Sequence, residues 1–168
     1  MNSLVLVLRF LHILAGVFWA GASIMLASFI GPTIRATEQS GQIFARHLVL
    51  KTRFNSAIVS SAIVTLLAGA VLYWIDSDGL ASAWVRTGPG IAFGTGAFFG
   101  LASFVFGAMI GQSNTALAKL GEALKGPPTP EQLGQIQAIQ KKLAWVGPVQ
   151  LAAMLLAVAL MATARYLF

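Results

Sequence analysis

Four apolar runs, at residues 4–30, 54–75, 91–111 and 143–168, are each long enough to cross a bilayer as a helix, which takes about 20 residues. A segment inside hydrocarbon has no water for its N–H and C=O groups, and a helix satisfies them internally. The rest of the composition leaves no other use for these runs. Charged residues make up 10% of the chain and hydrophobic ones 57%, whereas a soluble domain carries roughly 25% charged residues. That balance excludes a soluble enzyme, a disordered regulator and a nucleic-acid-binding module. With no cysteine, disulfides, thiolate metal sites and cysteine nucleophiles are excluded too.

The first run resembles a signal peptide in its Ala20-Gly21-Ala22. It is longer than an h-region of roughly 7–15 residues and has no basic n-region before it, so a retained helix is expected. The first loop carries Arg35, Arg46, Lys51 and Arg53, and the third carries Lys119, Lys125, Lys141 and Lys142. The second has Arg86 beside Asp76 and Asp78. By the positive-inside rule the first and third loops face the cytoplasm and both termini lie outside. Tyr73, Trp74, Trp84 and Tyr166 then form the outer aromatic belt, with Trp145 at the inner one. The net charge of +6 meets anionic head groups and calls for no nucleic acid.

Two cytoplasmic segments are longer than minimal loops. Residues 33–53 read as an amphipathic helix, with Ile43, Phe44, Leu48 and Leu50 toward lipid or protein and Arg46 and Lys51 reaching head groups. Gly126-Pro127-Pro128 is a sharp stop, and Thr129-Pro130-Glu131-Gln132 reads as an N-cap, a proline at N1 and a capping-box glutamine. The third helix is therefore expected to run to about Lys125 and the fourth to start near Pro130. Together they project as a hairpin over residues 113–142, which either packs on itself or docks a partner in a larger membrane complex.

Small residues recur along single helix faces: Gly16, Ala20, Ser23, Ala27 and Gly31; Ser56, Ser60, Thr65 and Gly69; Gly96, Gly100, Ser103, Gly107 and Gly111. Such glycine stripes let membrane helices approach closely, within the bundle or against a larger complex. The expected architecture is an all-α, antiparallel four-helix membrane bundle forming one domain over residues 1–168.

No paired carboxylates lie within the spans, so a carboxylate proton relay is excluded. His12, about two turns inside the first span, is the informative residue, because an ionisable side chain there is costly and is a functional-site hypothesis by default. It shares a face with Gly16 and Trp19. Arg9, one turn earlier, either snorkels or pairs with an anionic group. Glycines 69, 94, 96 and 100 fall at a comparable depth. Three readings are open. His12 hydrogen-bonds across the bundle to Thr65, Thr95 or Ser103; it is an axial ligand to a macrocycle, with Met161 as a distant second ligand; or it lies on a metal-ion path. His47 belongs near the cytoplasmic interface, far from His12.

The stretch Leu11-His12-Ile13-Leu14-Ala15-Gly16-Val17-Phe18-Trp19-Ala20-Gly21 resembles the first helix of the CopD-like copper-resistance membrane domain and of the HemJ-type four-helix protoporphyrinogen oxidases. The likeness extends loosely through Arg46 to Arg53, the second helix to Gly69, and Trp84-Val85-Arg86. The resemblance implies a bacterial inner-membrane protein. In the HemJ-type family the helix 1 histidine is implicated in binding b-type haem, a role that falls here to His12. The lysine those relatives carry near the start of helix 3 has no counterpart, and Arg86 is the nearest base. The expectation is a haem b site formed by His12 as ligand, Arg9 as propionate partner and Trp19 as a wall, with room at Gly96, serving electron transfer or haem-linked oxidation. The alternatives are a non-catalytic accessory subunit and a transporter of copper or another metal ion.

Overall fold

A computed structural model describes residues 3–124 and 126–167. Lys125, expected at the end of the third helix, and Phe168, at the end of the fourth span, lie outside the described residues. The described residues are mostly helical: α1 (Ser3–Met25), a π-helical turn (Leu26–Ile30), α2 (Gly31–Ala36), α3 (Glu38–Lys51), α4 (Phe54–Asp76), α5 (Gly88–Ala123) and α6 (Pro130–Thr163). Short 3₁₀ turns at Ala83–Arg86 and Ala164–Tyr166 precede α5 and follow α6. Four stretches, Ser3–Ala36, Phe54–Asp76, Gly88–Ala123 and Pro130–Tyr166, are long and apolar enough to cross a membrane, so the protein is suited to a multi-pass helical bundle in lipid.

The helix ends follow local chemistry. Thr129 Oγ1 accepts from the Gln132 N–H at 3.3 Å while Gln132 Oε1 accepts from the Thr129 N–H at 2.9 Å, the reciprocal capping box read from the sequence. Thr87 caps α5 in the same way, accepting from the Gly90 N–H. The π turn sits beside Pro32. Proline lacks an N–H and its ring crowds the carbonyl four residues back, and the Gly31 N–H bonds instead to the Leu26 carbonyl, five residues back.

The first span thus continues into α2 rather than ending at Ile30, and the amphipathic segment is shorter than expected. It starts at Glu38, whose φ of 47° turns the chain, and Gly41 lets α3 fold back on α2. A Cβ there would collide with the Ile34 carbonyl oxygen. Arg46 and Lys51 depart from the expectation that they reach head groups. Arg46 Nη1 donates to the Gly121 carbonyl at 2.7 Å, and Lys51 Nζ pairs with Glu122 at 3.1 Å. The last four carbonyls of a helix lack intrahelical donors and carry the negative end of its dipole, so two cations of α3 are drawn to the end of α5. Ile43 and Phe44 remain exposed.

In the core all four long helices contribute. Trp19 of α1 and its neighbour Ala20 are buried with Ala62 of α4 and Met154 of α6. Phe104 of α5 meets the Trp19 ring edge-on at 6.4 Å. The small-residue stripes pack only in part. Ala20, Thr65, Gly96, Gly100 and Ser103 are buried, whereas Ala27, Ser56 and Ser60 are exposed, and a Cβ at Gly107 or Gly111 would meet nothing within 4 Å. On α1 the reason is the π turn, which breaks the 3.6-residue repeat from Leu26 onward.

Truncating the central ring tests this core. Trp19→Ala is expected to cost about 3 kcal/mol in detergent unfolding, whereas Trp74→Ala, at a residue 58% exposed, should leave the transition unchanged.

Candidate functional site

His12 reaches across to α4, where its Nδ1 lies 2.7 Å from the Thr65 carbonyl oxygen. A carbonyl only accepts, so Nδ1 is the protonated nitrogen, and in the neutral imidazole Nε2 carries the lone pair. The Thr65 hydroxyl takes no part, since it donates to the Ser61 carbonyl within its own helix at 2.7 Å. Of the three partners open in the sequence, Thr65 is the one engaged, through its backbone. Ser103 bonds to Gln150 instead.

The fit at this seam is set by Gly69, one turn beyond Thr65. A Cβ at Gly69 would lie 2.7 Å from Cε1 and 2.9 Å from Nδ1 of His12, but 3.8 Å from Nε2. The Nδ1–Cε1 edge of the ring therefore faces the α4 backbone, with Nε2 about 1 Å farther from that position than Cε1. A Cβ at Gly16, one turn along α1, would meet the Thr65 methyl at 3.4 Å.

The remaining residues expected around a macrocycle are held in separate places. Arg9 is 4.0 Å from Asp76, with both side chains more than a third exposed, a weak surface pair. Trp19 is committed to the core. Met161 and Leu160 of α6 fill the space beside Gly96, and Tyr73 fills that beside Gly94. These glycines are close-packing points, not a slot. His47 is exposed on α3. Among the described residues no three His, Cys, Asp or Glu side chains are grouped to hold a metal ion.

Two features escaped the reading of the sequence. Gln150 of α6 is 4% exposed and its Nε2 donates to the Ser103 hydroxyl of α5 at 3.0 Å, with Ser103 fully buried. An amide within an apolar span is the signal that could have found it. The second is a cleft of about 460 Å³ lined by Arg9, Asp76, Trp84, Pro89, Phe93 and Arg165. One wall is an aromatic stack, with Trp84 and Phe93 at 6.3 Å and Tyr73 edge-on to Trp84 at 5.4 Å. The Tyr73 hydroxyl donates to the Gly90 carbonyl, which ties α4 to the start of α5. The cleft draws on four separated segments, which no local pattern announces.

No protein-family model matches this chain, and no curated protein or solved structure shows significant similarity to it.

The seam can be tested by a double-mutant cycle. Gly69→Ala is expected to cost about 1–3 kcal/mol by overpacking His12. In a His12→Ala background it should be neutral or slightly stabilising, because alanine is the better helix former. Equal costs in both backgrounds, measured by thermal unfolding, would show that the imidazole does not fill this space.

Proposed function

We propose that this multi-pass membrane protein binds a b-type haem through His12 and serves electron transfer or a haem-linked oxidation. The supporting observation is the orientation of the ring. The Thr65 carbonyl holds Nδ1–H at 2.7 Å, the kind of bond that fixes the tautomer of metal-ligating histidines, and leaves Nε2 as the ring's acceptor. His12 is the residue that would hold a haem iron, and the likeness of residues 11–21 to the CopD-like and HemJ-type proteins points the same way. Arg9, one turn along α1, is the cation of this reading. Trp19 and Met161 have packing duties of their own. A bound haem would supply one-electron chemistry; the chain's part is to orient the imidazole through the Thr65 carbonyl.

The bundle is read here as antiparallel, with both termini outside the cytoplasm of a bacterial inner membrane. Contact pairs whose numbers run in opposite directions support the antiparallel order: Arg9 with Asp76 and Gly16 with Thr65. The lysines and arginines of the first and third connections support the orientation. The α5–α6 connection then forms the cytoplasmic hairpin.

The second reading is an accessory subunit. It is favoured by Gly107 and Gly111, one turn apart on α5, where an added Cβ meets nothing within 4 Å, a spacing suited to a further helix.

A dithionite-reduced minus oxidised spectrum of the purified protein is expected to show a Soret band with sharp α and β bands, abolished by His12→Ala. A flat spectrum after haem supplementation during expression sinks the haem reading and leaves the accessory one. A reporter enzyme active only outside the cytoplasm should be active when fused after Leu80 or Phe168 and silent after Gly126. The opposite pattern inverts the orientation.

A further inference from the structure

We propose that the cleft between the start of α1, the end of α4, the start of α5 and the turn after α6 is a binding site for a phosphate group, that of a phospholipid head. The argument begins with charge. Arg9 and Arg165 both line the cleft, and among the described residues Asp76 is the only acidic one in its lining. Asp76 stands 4.0 Å from Arg9, at the limit of an ion pair, so at most one of the two guanidinium charges is offset.

The backbone adds to this. Pro89, in the first turn of the 36-residue helix α5, forms part of the lining. The positive end of the helix dipole favours an anion there; the N–H groups contribute little, since Pro89 has none and that of Gly90 donates to Thr87.

Arg165 is held in place rather than trailing at a chain end. It belongs to the 3₁₀ turn Ala164–Tyr166, whose Ala164 is 0% exposed. That turn is anchored on α5: a Cβ at Gly88 would fall 2.7 Å from the Leu167 carbonyl oxygen. A guanidinium so placed offers a planar fork of donors matched to phosphate oxygens.

The other wall fits the rest of a lipid. Trp84 and Phe93 stack at 6.3 Å and give an apolar face beside the cations. The cleft lies where the span Phe54–Asp76 ends and Gly88–Ala123 begins, and its volume of about 460 Å³ exceeds what a lone phosphate fills. Both points favour a lipid head over free phosphate. The inference shares Arg9 with the haem reading but uses neither His12 nor Met161, and Arg165 belongs to it alone.

The test uses the purified full chain in neutral detergent, with phosphatidylglycerol, a phosphate-free galactolipid and inorganic phosphate as probes, and bound ligand read by native mass spectrometry. Phosphatidylglycerol should bind in preference to the galactolipid. Arg165→Gln should weaken it about tenfold, Arg9→Gln should also weaken it, and Arg35→Gln, at the far end of the first span, should not. Arg165 is exposed, and thermal unfolding of each variant checks the fold. Failure of a large excess of inorganic phosphate to displace the lipid confirms the lipid head; displacement at equal concentration assigns the site to free phosphate and overturns the lipid proposal. Equal phosphatidylglycerol affinity in wild type, Arg165→Gln and Arg9→Gln, or equal retention of the galactolipid, overturns the site.

Discussion

Inside hydrocarbon no water is expelled when two helices meet, so the hydrophobic effect that builds soluble cores does not hold this bundle together. What remains is close approach, with dispersion between well-fitted surfaces and the few polar bonds that cross between helices. The packing follows from that constraint. Gly69 admits the His12 ring, Gly96 admits Met161 and Leu160, and Ser103 takes the amide of Gln150. Large apolar side chains such as Phe10, Val17, Phe29 and Phe98 are left facing outward, where lipid solvates them as well as protein would.

His12 shows how a single polar bond can serve two ends. Its hydrogen bond to the Thr65 carbonyl joins α1 to α4, and a missing partner at this depth would be costly. The same bond decides which ring nitrogen is left with a lone pair. Structural clamp and fixed tautomer are thus two consequences of one contact.

Features governed by short-range chemistry were legible in the sequence. The four spans follow from apolar length, and the start of α6 follows from Thr129 and Gln132. His12 was singled out because an ionisable group within a span is rare. Its acceptor was harder to name, since a backbone carbonyl has no side-chain signature and Thr65 was one of three candidate partners. The fate of Gly69 and Gly96 was equally hidden. A glycine marks space, and only the packed helices show which neighbour takes it. Arg46 and Lys51 were read against lipid because their partners at Gly121 and Glu122 are some seventy residues away in sequence. Gln150 was legible and was passed over.

The π turn at Leu26–Ile30 gives the first span a phase slip. One residue of an α-helix turns the face by about 100°, so the wider turn rotates everything beyond it relative to His12 and Trp19. The two halves of this span therefore look in directions that a single helical wheel cannot represent. Removing one residue within the slip would rewind it toward a regular helix and turn α2 and the root of α3 about the bundle, leaving the His12 seam where it is. The two faces of the membrane are in this sense separately adjustable along one continuous helix.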